Sequence, residues 1–334
     1  MLQRWLRRLI WQPFATFSSA FPIVPLRATV TQPVDGVVCI RIDNVVTRML
    51  GRFSGGYDYA VCYLLDGEVL VDTGFAWARR SLRQTLRTLG ADASITTVVN
   101  THYHEDHTGN NALVRSMTGA RVLAHRDAIA EIRFPSRAAW YRSFLFGPSP
   151  GDAVEPVGDV ITTRLFRFEV HHLPGHCPGH LCLFEPTRGW LFSGDLYIAA
   201  DLDSQLSDAD GPLWIESLER AIDLRPRCLF DAHGVIVTDE REVRALLERK
   251  RDFLVAIRER VRAASSRPQS IEELTGVVFA PKGLVDRISL SDGWMSLITG
   301  SDFSRSNLVR SFLRAEIQAS TQSLTDGAME EALR

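Results

Sequence analysis

The sequence predicts an α/β fold that carries a helical appendage at its C-terminus. Three observations lead there. Between about residues 37 and 234, short β-branched or apolar runs alternate with segments of helical period, the pattern of strands interleaved with helices. Several of those strands end on an acid or a histidine beside a glycine, so one rim of the strands collects reactive groups. From about residue 238 the strand pattern stops and amphipathic helices take over.

In chain order, VVCIRI (37–42) and YAVCYLL (59–65) read as buried strands, and GEVLVDTG (67–74) as a strand ending in a turn. WARRSLRQTLRTLG (77–90) has a helical pattern, with Gly90 as its C-cap. ITTVVN (95–100) is a strand, NNALVRSMTG (110–119) a short helix, and RVLAH (121–125) a strand followed by a helix near 126–133. Residues 134–158 read as irregular and rich in aromatics: Phe134, Trp140, Tyr141, Phe144 and Phe146. Strands are expected near 159–171, 180–185 and 189–193, a helix at 217–224, and a strand at 228–234. Beyond them, residues 242–264 place Val243, Leu246, Leu247, Phe253, Leu254, Ile257 and Val261 on one helical face. Ser270 and Glu273 form a capping pattern for a further helix, SNLVRSFLRAEI (306–317) reads as the last one, and the polar tail after 318 is expected to fray.

The expected organisation is an N-terminal arm (1–34), a catalytic domain (35–237) and a helical C-terminal region with a polar tail (238–334), in keeping with a chain of 334 residues. A net charge of −2 gives no electrostatic reason to expect nucleic acid as a partner. The five cysteines are scattered and never spaced C-x-x-C, which argues against a disulfide framework or a thiolate zinc knuckle. The arm is basic at Arg4, Arg7 and Arg8, and its apolar part is broken by Pro13, Pro22 and Pro25, too short to span a bilayer. Three readings of the arm stay open: a packed arm, an interfacial turn in weak contact with a membrane, and a signal peptide with a poor site at Ser18-Ser19-Ala20. The chain is read as cytoplasmic, with no transmembrane segment and an undetermined oligomeric state.

The chemistry concentrates in THYHEDHTG (101–109). His102, His104, Asp106 and His107 lie where a strand turns into a helix. His102 and His104 are two apart in extended chain and face one side. Neutral imidazoles plus a carboxylate suit borderline metals such as zinc, and burying such a cluster unpaired would cost several kcal/mol. Further candidates stand at other strand ends: Asp72 in VDTG, His176 in LPGHCPGH, Asp195 in FSGDLY and His233 in DAHG.

In this combination the chain resembles the metallo-β-lactamase superfamily, and within it the glyoxalase II-like hydrolases. The resemblance covers roughly residues 35–235 and rests on Asp72, H-x-H-x-D-H, the P-G-H segment, the G-D pair and the final histidine. It implies an αββα sandwich with a dinuclear site at one edge. His102, His104 and His176 would hold one metal, Asp106, His107 and His233 the second, with Asp195 bridging and Asp72 fixing the histidine loop. It implies hydrolysis of a small-molecule thioester, ester or lactone by a metal-bridging hydroxide, with Asp106 also orienting the nucleophile. Zinc is the first choice for both ions; the donor types suit iron and manganese as well.

Other residues have two readings each. His180, in P-G-H-C-P-G-H, is either a catalytic-site residue, standing behind the ligands or facing a substrate, or a surface histidine at the start of a strand. Tyr197 either donates to a substrate carbonyl or packs. His125, His171 and His172 read as structural, and the aromatics at 140–146 either line a pocket mouth or pack an insert. The C-terminal region lacks a clear basic glutathione-binding signature and contains no histidine or cysteine. Its expected role is to set substrate choice without supplying a metal ligand, with Phe253 and Trp294 as docking residues. The competing functions are an iron-dependent persulfide dioxygenase-like oxidoreductase, a nuclease, and a non-catalytic ligand-binding effector on the same fold.

Overall fold

A computed structural model describes residues 27–43, 59–136, 139–265, 270–279 and 299–332. Residues 1–26 of the expected arm, and Trp294, lie outside the described residues.

Strands β1 (Arg27–Val34), β2 (Val37–Asp43), β3 (Tyr59–Leu65), β4 (Val69–Val71), β5 (Thr97–Val99), β6 (Arg121–Ala124) and β7 (Glu155–Pro156) form one sheet in chain order. Its first four strands are antiparallel, and β4 to β7 run parallel. The second sheet has the order β13-β12-β11-β10-β9-β8. Its strands are β8 (Val160–Thr162), β9 (Arg167–His172), β10 (Leu181–Glu185), β11 (Trp190–Gly194), β12 (Cys228–Asp231) and β13 (Ile236–Val237). The helices are α1 (Arg79–Thr88), α2 (Glu105–Thr108), α3 (Asn111–Thr118), α4 (Ile129–Arg133), α5 (Trp140–Phe146), α6 (Gly211–Asp223), α7 (Glu240–Ala264), α8 (Ile271–Val278) and α9 (Arg305–Ala332).

Strand periodicity creates the layers. On β3, Val61, Tyr63 and Leu65 face the second sheet, whereas Ala60, Cys62 and Leu64 face a cluster containing Leu82 and Leu86 of α1 and Val114 of α3. On β10, Leu181 and Leu183 point into the space between the sheets, and Cys182 and Phe184 point toward α6 and α7. The result is an αββα sandwich. Aromatics fill its centre: the Phe192 and Phe230 rings stack at 4.7 Å, and Tyr63 meets Phe192 edge-on at 5.3 Å.

The expected apolar face of α7 docks as predicted. Val243, Leu247, Leu254, Ile257 and Val261 are buried with Trp214 and Leu218 of α6, and Phe253 is partly buried against them. The capping box of Ser270 and Glu273 is present at the start of α8. Two readings need correction. The insert at 134–158 is not irregular throughout, because α5 forms within it. The tail after 318 continues α9 to Ala332: its Ala, Gln, Glu and Met are good helix formers and no proline stops them, so polarity alone does not end the helix. Among the described residues no helix is long and apolar enough to cross a membrane.

Candidate metal centre

Strand direction places the motifs on one edge. The C-terminal ends of the parallel strands β4 and β5 deliver Asp72 and His102, and those of the parallel pair β11 and β12 deliver Asp195 and His233. The β9–β10 connection brings in His176. Asp72 takes a left-handed conformation (φ 58°), which a short polar side chain tolerates. Its carboxylate accepts the Thr101 N–H at 2.8 Å, the Thr101 hydroxyl at 2.8 Å and the His107 Nδ1–H at 2.9 Å. One acid thus holds both ends of the histidine motif. Gly194 is required next to Asp195: it sits at φ 51°, and a Cβ there would stand 2.7 Å from His180 Nε2 and 2.8 Å from Thr101 Cβ.

The hydrogen bonds decide the tautomers. The Thr101 hydroxyl gives its proton to Asp72, so His102 Nδ1, 3.0 Å from that oxygen, is the N–H and Nε2 carries the lone pair. His104 Nε2 donates to Asp208 Oδ2 at 3.0 Å, which leaves the lone pair on Nδ1. Those two lone pairs face each other at 3.0 Å, and His176 Nε2 stands 3.0 Å from the same His104 nitrogen. With no proton between His102 Nε2 and His104 Nδ1, those two nitrogens repel unless a cation sits beside them. In a second group, His107 Nε2 and Asp195 Oδ1 are buried without a hydrogen-bond partner, 3.4 Å apart. Asp106 Oδ2 is 3.6 Å from His107 Nε2 and 4.0 Å from His233 Nε2. Asp195 Oδ2 lies 3.3 Å from His233 Nε2, 3.4 Å from His176 Nε2 and 3.8 Å from His102 Nε2, so it stands between the groups.

The electrostatics fit a cation. Burial, reinforced by neighbouring imidazoles, pushes His102 and His176 well below the usual histidine range, so both are neutral, the form in which an imidazole can bind a metal. Burial also disfavours charge on His107 and His233, but the adjacent carboxylates, Asp195 foremost, override it. His107 is held well above its ordinary range and His233 is raised to about 9. Acids that draw protons onto buried imidazoles exert the same attraction on a metal ion.

The seven expected ligands fall into three overlapping groups: His102, His104 and His176; His102, His107 and Asp195; Asp106, His107 and His233. The other two expected catalytic residues stand apart from those groups. His180 is buried with both ring nitrogens committed: Nδ1 donates to Leu173 O at 3.1 Å, and Nε2 accepts the Asp195 N–H at 3.0 Å. It therefore braces Asp195 from behind and has no nitrogen left for a substrate. Tyr197 packs in the cluster under the appendage, 4% exposed, and burial raises its hydroxyl to about 12. These placements favour the packing reading of Tyr197 and a positioning reading of His180. Of the insert aromatics, Tyr141 packs against Ile198, Leu202 and Phe303, and its hydroxyl donates to Asp302 at 2.8 Å. Arg142 bonds Glu105, inside the histidine motif, at 2.5 Å.

Asp208 is the residue that the sequence does not reveal. It lies in an irregular stretch with no motif around it, yet it fixes His104, and the Tyr103 hydroxyl donates to the same carboxylate oxygen at 2.5 Å. Burial disfavours its charge, but His104 holds the carboxyl well below its ordinary range. The appendage steadies this stretch: Asn307 donates to Gln205 O at 3.0 Å, and Arg305 pairs with Asp203 at 2.6 Å. Asp208→Ala is expected to weaken metal retention by about 10–100-fold, as loss of an anchoring carboxylate behind a ligand does. Competition with a chelator measures it, and unchanged retention would refute the role.

An αββα sandwich with histidines and aspartates gathered at one sheet edge defines a class of metal-site protein. The sequence pattern of the metallo-beta-lactamase superfamily matches residues 55–233, and the chain belongs to that superfamily. It is 33% identical over 128 residues to a hydroxyacylglutathione hydrolase of Maricaulis maris, a match covering 38% of this chain and 43% of that protein. It is 29% identical over 210 residues to the acyl-coenzyme A thioesterase MBLAC2 of Bos taurus, covering 54% of this chain and 73% of the relative. The chain thus spans less than half the length of the Maricaulis relative. A beta-lactamase domain protein from Burkholderia ambifaria has a similar fold, with a TM-score of 0.63 at 19% identity over 86% of this chain and 88% of that one.

Proposed function

We propose that the chain is a dinuclear metal-dependent hydrolase of small-molecule thioesters, with esters and lactones as related substrates. The observation that carries the reading is the pair of histidine lone pairs facing each other at 3.0 Å, next to a second acid-and-histidine group that shares Asp195. Hydroxyacylglutathione and acyl-coenzyme A, in the names of two relatives, are both thioesters, which favours that class over phosphodiesters. Two divalent ions, when bound, supply an activated water and Lewis acidity toward a carbonyl. In this assignment His102, His104 and His176 would hold one ion and Asp106, His107 and His233 the other, with Asp195, which stands between the groups, as a donor to both. Asp72 locks the tautomers of His102 and His107, Asp208 locks His104, and His180 positions Asp195. Asp106 also orients the attacking water. Zinc is the proposed metal, and the donor types accept iron or manganese. The catalytic domain is taken as 35–237 together with β1, which pairs with β2 in the same sheet, and residues 238–334 as a wall that sets substrate choice without adding a ligand. Nucleic acid is not a proposed partner. A cytoplasmic setting accords with five free, buried cysteines.

Elemental analysis of protein purified without chelator is expected to find two metals per chain, because seven donors exceed one tetrahedral ion. His176→Ala should lower thioester turnover by about 100-fold or more, since a lost ligand removes several kcal/mol of charge stabilisation, while circular dichroism stays native. A single metal, or near wild-type turnover of the variant across a panel of thioesters, would overturn the assignment.

A further inference from the structure

Helix α1 carries a charge pattern that the metal centre does not use. Its ten residues, RRSLRQTLRT, hold four arginines and no acid, although the whole chain has a net charge of −2. Leu82 and Leu86 are buried against the first sheet. On the rest of the circumference Arg79, Arg80 and Arg87 are exposed and Arg83 is half-buried. Arg79, Arg83 and Arg87 follow one another at i, i+4 spacing, a row of about 12 Å along the helix axis. Among the described residues none of the four makes an ion pair or a hydrogen bond through its side chain. On α7, by contrast, Arg244, Arg249, Arg251, Arg258 and Arg262 each meet an acid at 2.7 to 3.5 Å.

That arrangement works against the helix itself. Cations in the first turn face the positive end of the helix dipole, and like charges four residues apart repel. An opposing negative surface relieves both. The neighbourhood says which kind of surface. β1, the outer strand of its sheet, lies beside α1. Its Ala28 and Val30 line a groove of about 450 Å³ together with Ser81, Thr85 and Leu89. Val30 and Leu89 are 42% and 38% exposed, so apolar side chains stand next to the arginines. The chain enters β1 at Arg27, and the sequence leading to that point joins Arg4, Arg7 and Arg8 to Trp5, Leu6, Leu9 and Ile10. Basic and apolar residues together match the phosphates and the acyl boundary of a bilayer. Residues 79–89 contain no aromatic side chain, so a nucleic acid would find charge there without a stacking platform.

We propose that α1 and the adjoining part of β1 form a docking surface for the anionic leaflet of a phospholipid bilayer. Arg79, Arg80, Arg83 and Arg87 meet the lipid phosphates and carboxylates, and Val30 and Leu89 settle at headgroup level. The docking is peripheral, because Leu82 and Leu86 stay in the core of the domain. The surface is separate from the rim and contains none of its gathered histidines and acids.

The test is co-sedimentation of the full-length protein with vesicles of phosphatidylcholine alone and of phosphatidylcholine containing about 30% phosphatidylserine. Wild type is expected to partition onto the anionic vesicles, to leave the neutral ones unbound, and to be released as added salt screens the charges. Each arginine near such a surface contributes on the order of fivefold, so Arg83→Gln/Arg87→Gln should weaken partitioning by about 25-fold. Glutamine is a good helix former, so the variant keeps the helix. Arg83→Lys/Arg87→Lys retains the charge and should bind about as tightly as wild type. No preference for anionic vesicles in wild type, or undiminished partitioning of the glutamine variant, overturns the proposal. Tighter binding to an oligonucleotide than to anionic vesicles at the same salt, lost in the glutamine variant, also overturns it and assigns the row to nucleic acid. The readout involves neither metal nor turnover, so this surface and the hydrolase assignment can each fail alone.

Discussion

Asp195→Ala is expected to bring bound metal below one equivalent per chain and to cut thioester turnover by about 1000-fold or more, some 4 kcal/mol of lost charge stabilisation. The expectation follows from position. Asp195 approaches His107, His233, His176 and His102 at 3.3 to 3.8 Å, more of the gathered histidines than any other acid at the rim. Burial disfavours its charge, yet His107, His233 and His102 hold the carboxyl well below its ordinary range, so the anion is retained in the absence of an ion. Removing it takes a ligand from both groups and leaves His107 Nε2 without its nearest acid. Asp195→Asn separates charge from volume: it fills the same space and should still lose metal. Elemental analysis after gel filtration, read beside turnover, is the measurement. A variant with two metals and near wild-type turnover would overturn the proposed bridging role of Asp195.

Lys250→Met is expected to stabilise the protein at pH 6 by on the order of 3–5 kcal/mol and to give little or no gain near pH 10. Lys250 is fully buried on the apolar face of α7, its ammonium 5.0 Å from the Trp214 ring, donating to Ala199 O at 3.2 Å. Burial lowers its pKa from 10.5 to about 7, against the opposing pull of Asp201 and Asp203. Between those values the unfolded chain holds a proton that the folded chain has released, so stability rises with pH across that window. The full penalty of the buried charge is therefore present below about pH 7, and methionine removes it there. The lost bond to Ala199 offsets about 1 kcal/mol of the gain at any pH. Urea midpoints at pH 6 and pH 10 read the difference. An equal change at both, or a loss at pH 6, would mean that the lysine is charged and well satisfied in the folded state.

Much of this molecule is legible in the amino-acid order because the signals are local. The alternation in YAVCYLL assigns Ala60, Cys62 and Leu64 to one face of β3 and Val61, Tyr63 and Leu65 to the other. The ligand motifs are legible for a related reason: each is a strand end, a turn residue and an acid or histidine within a few positions. The spacing on α7 identifies its docked face, and the structure adds the surprise of Lys250 among the apolar residues. Ser270 and Glu273 show their capping box in the same way.

The sequence by itself determined the αβ alternation, the rim of acids and histidines, and the amphipathic appendage, because periodicity and turn chemistry act over a few residues. The tertiary structure decided which nitrogen of His102, His104 and His107 faces the cluster. That depends on partners far along the chain: Asp208 lies 104 residues from His104, and Asp72 lies 35 from His107. It also decided that His180 turns its ring away to brace Asp195, and that His125 and His172 meet across the two sheets. A hydrogen bond between distant residues leaves no periodic trace in the sequence, since only the folded path of the chain brings its two ends within 3 Å.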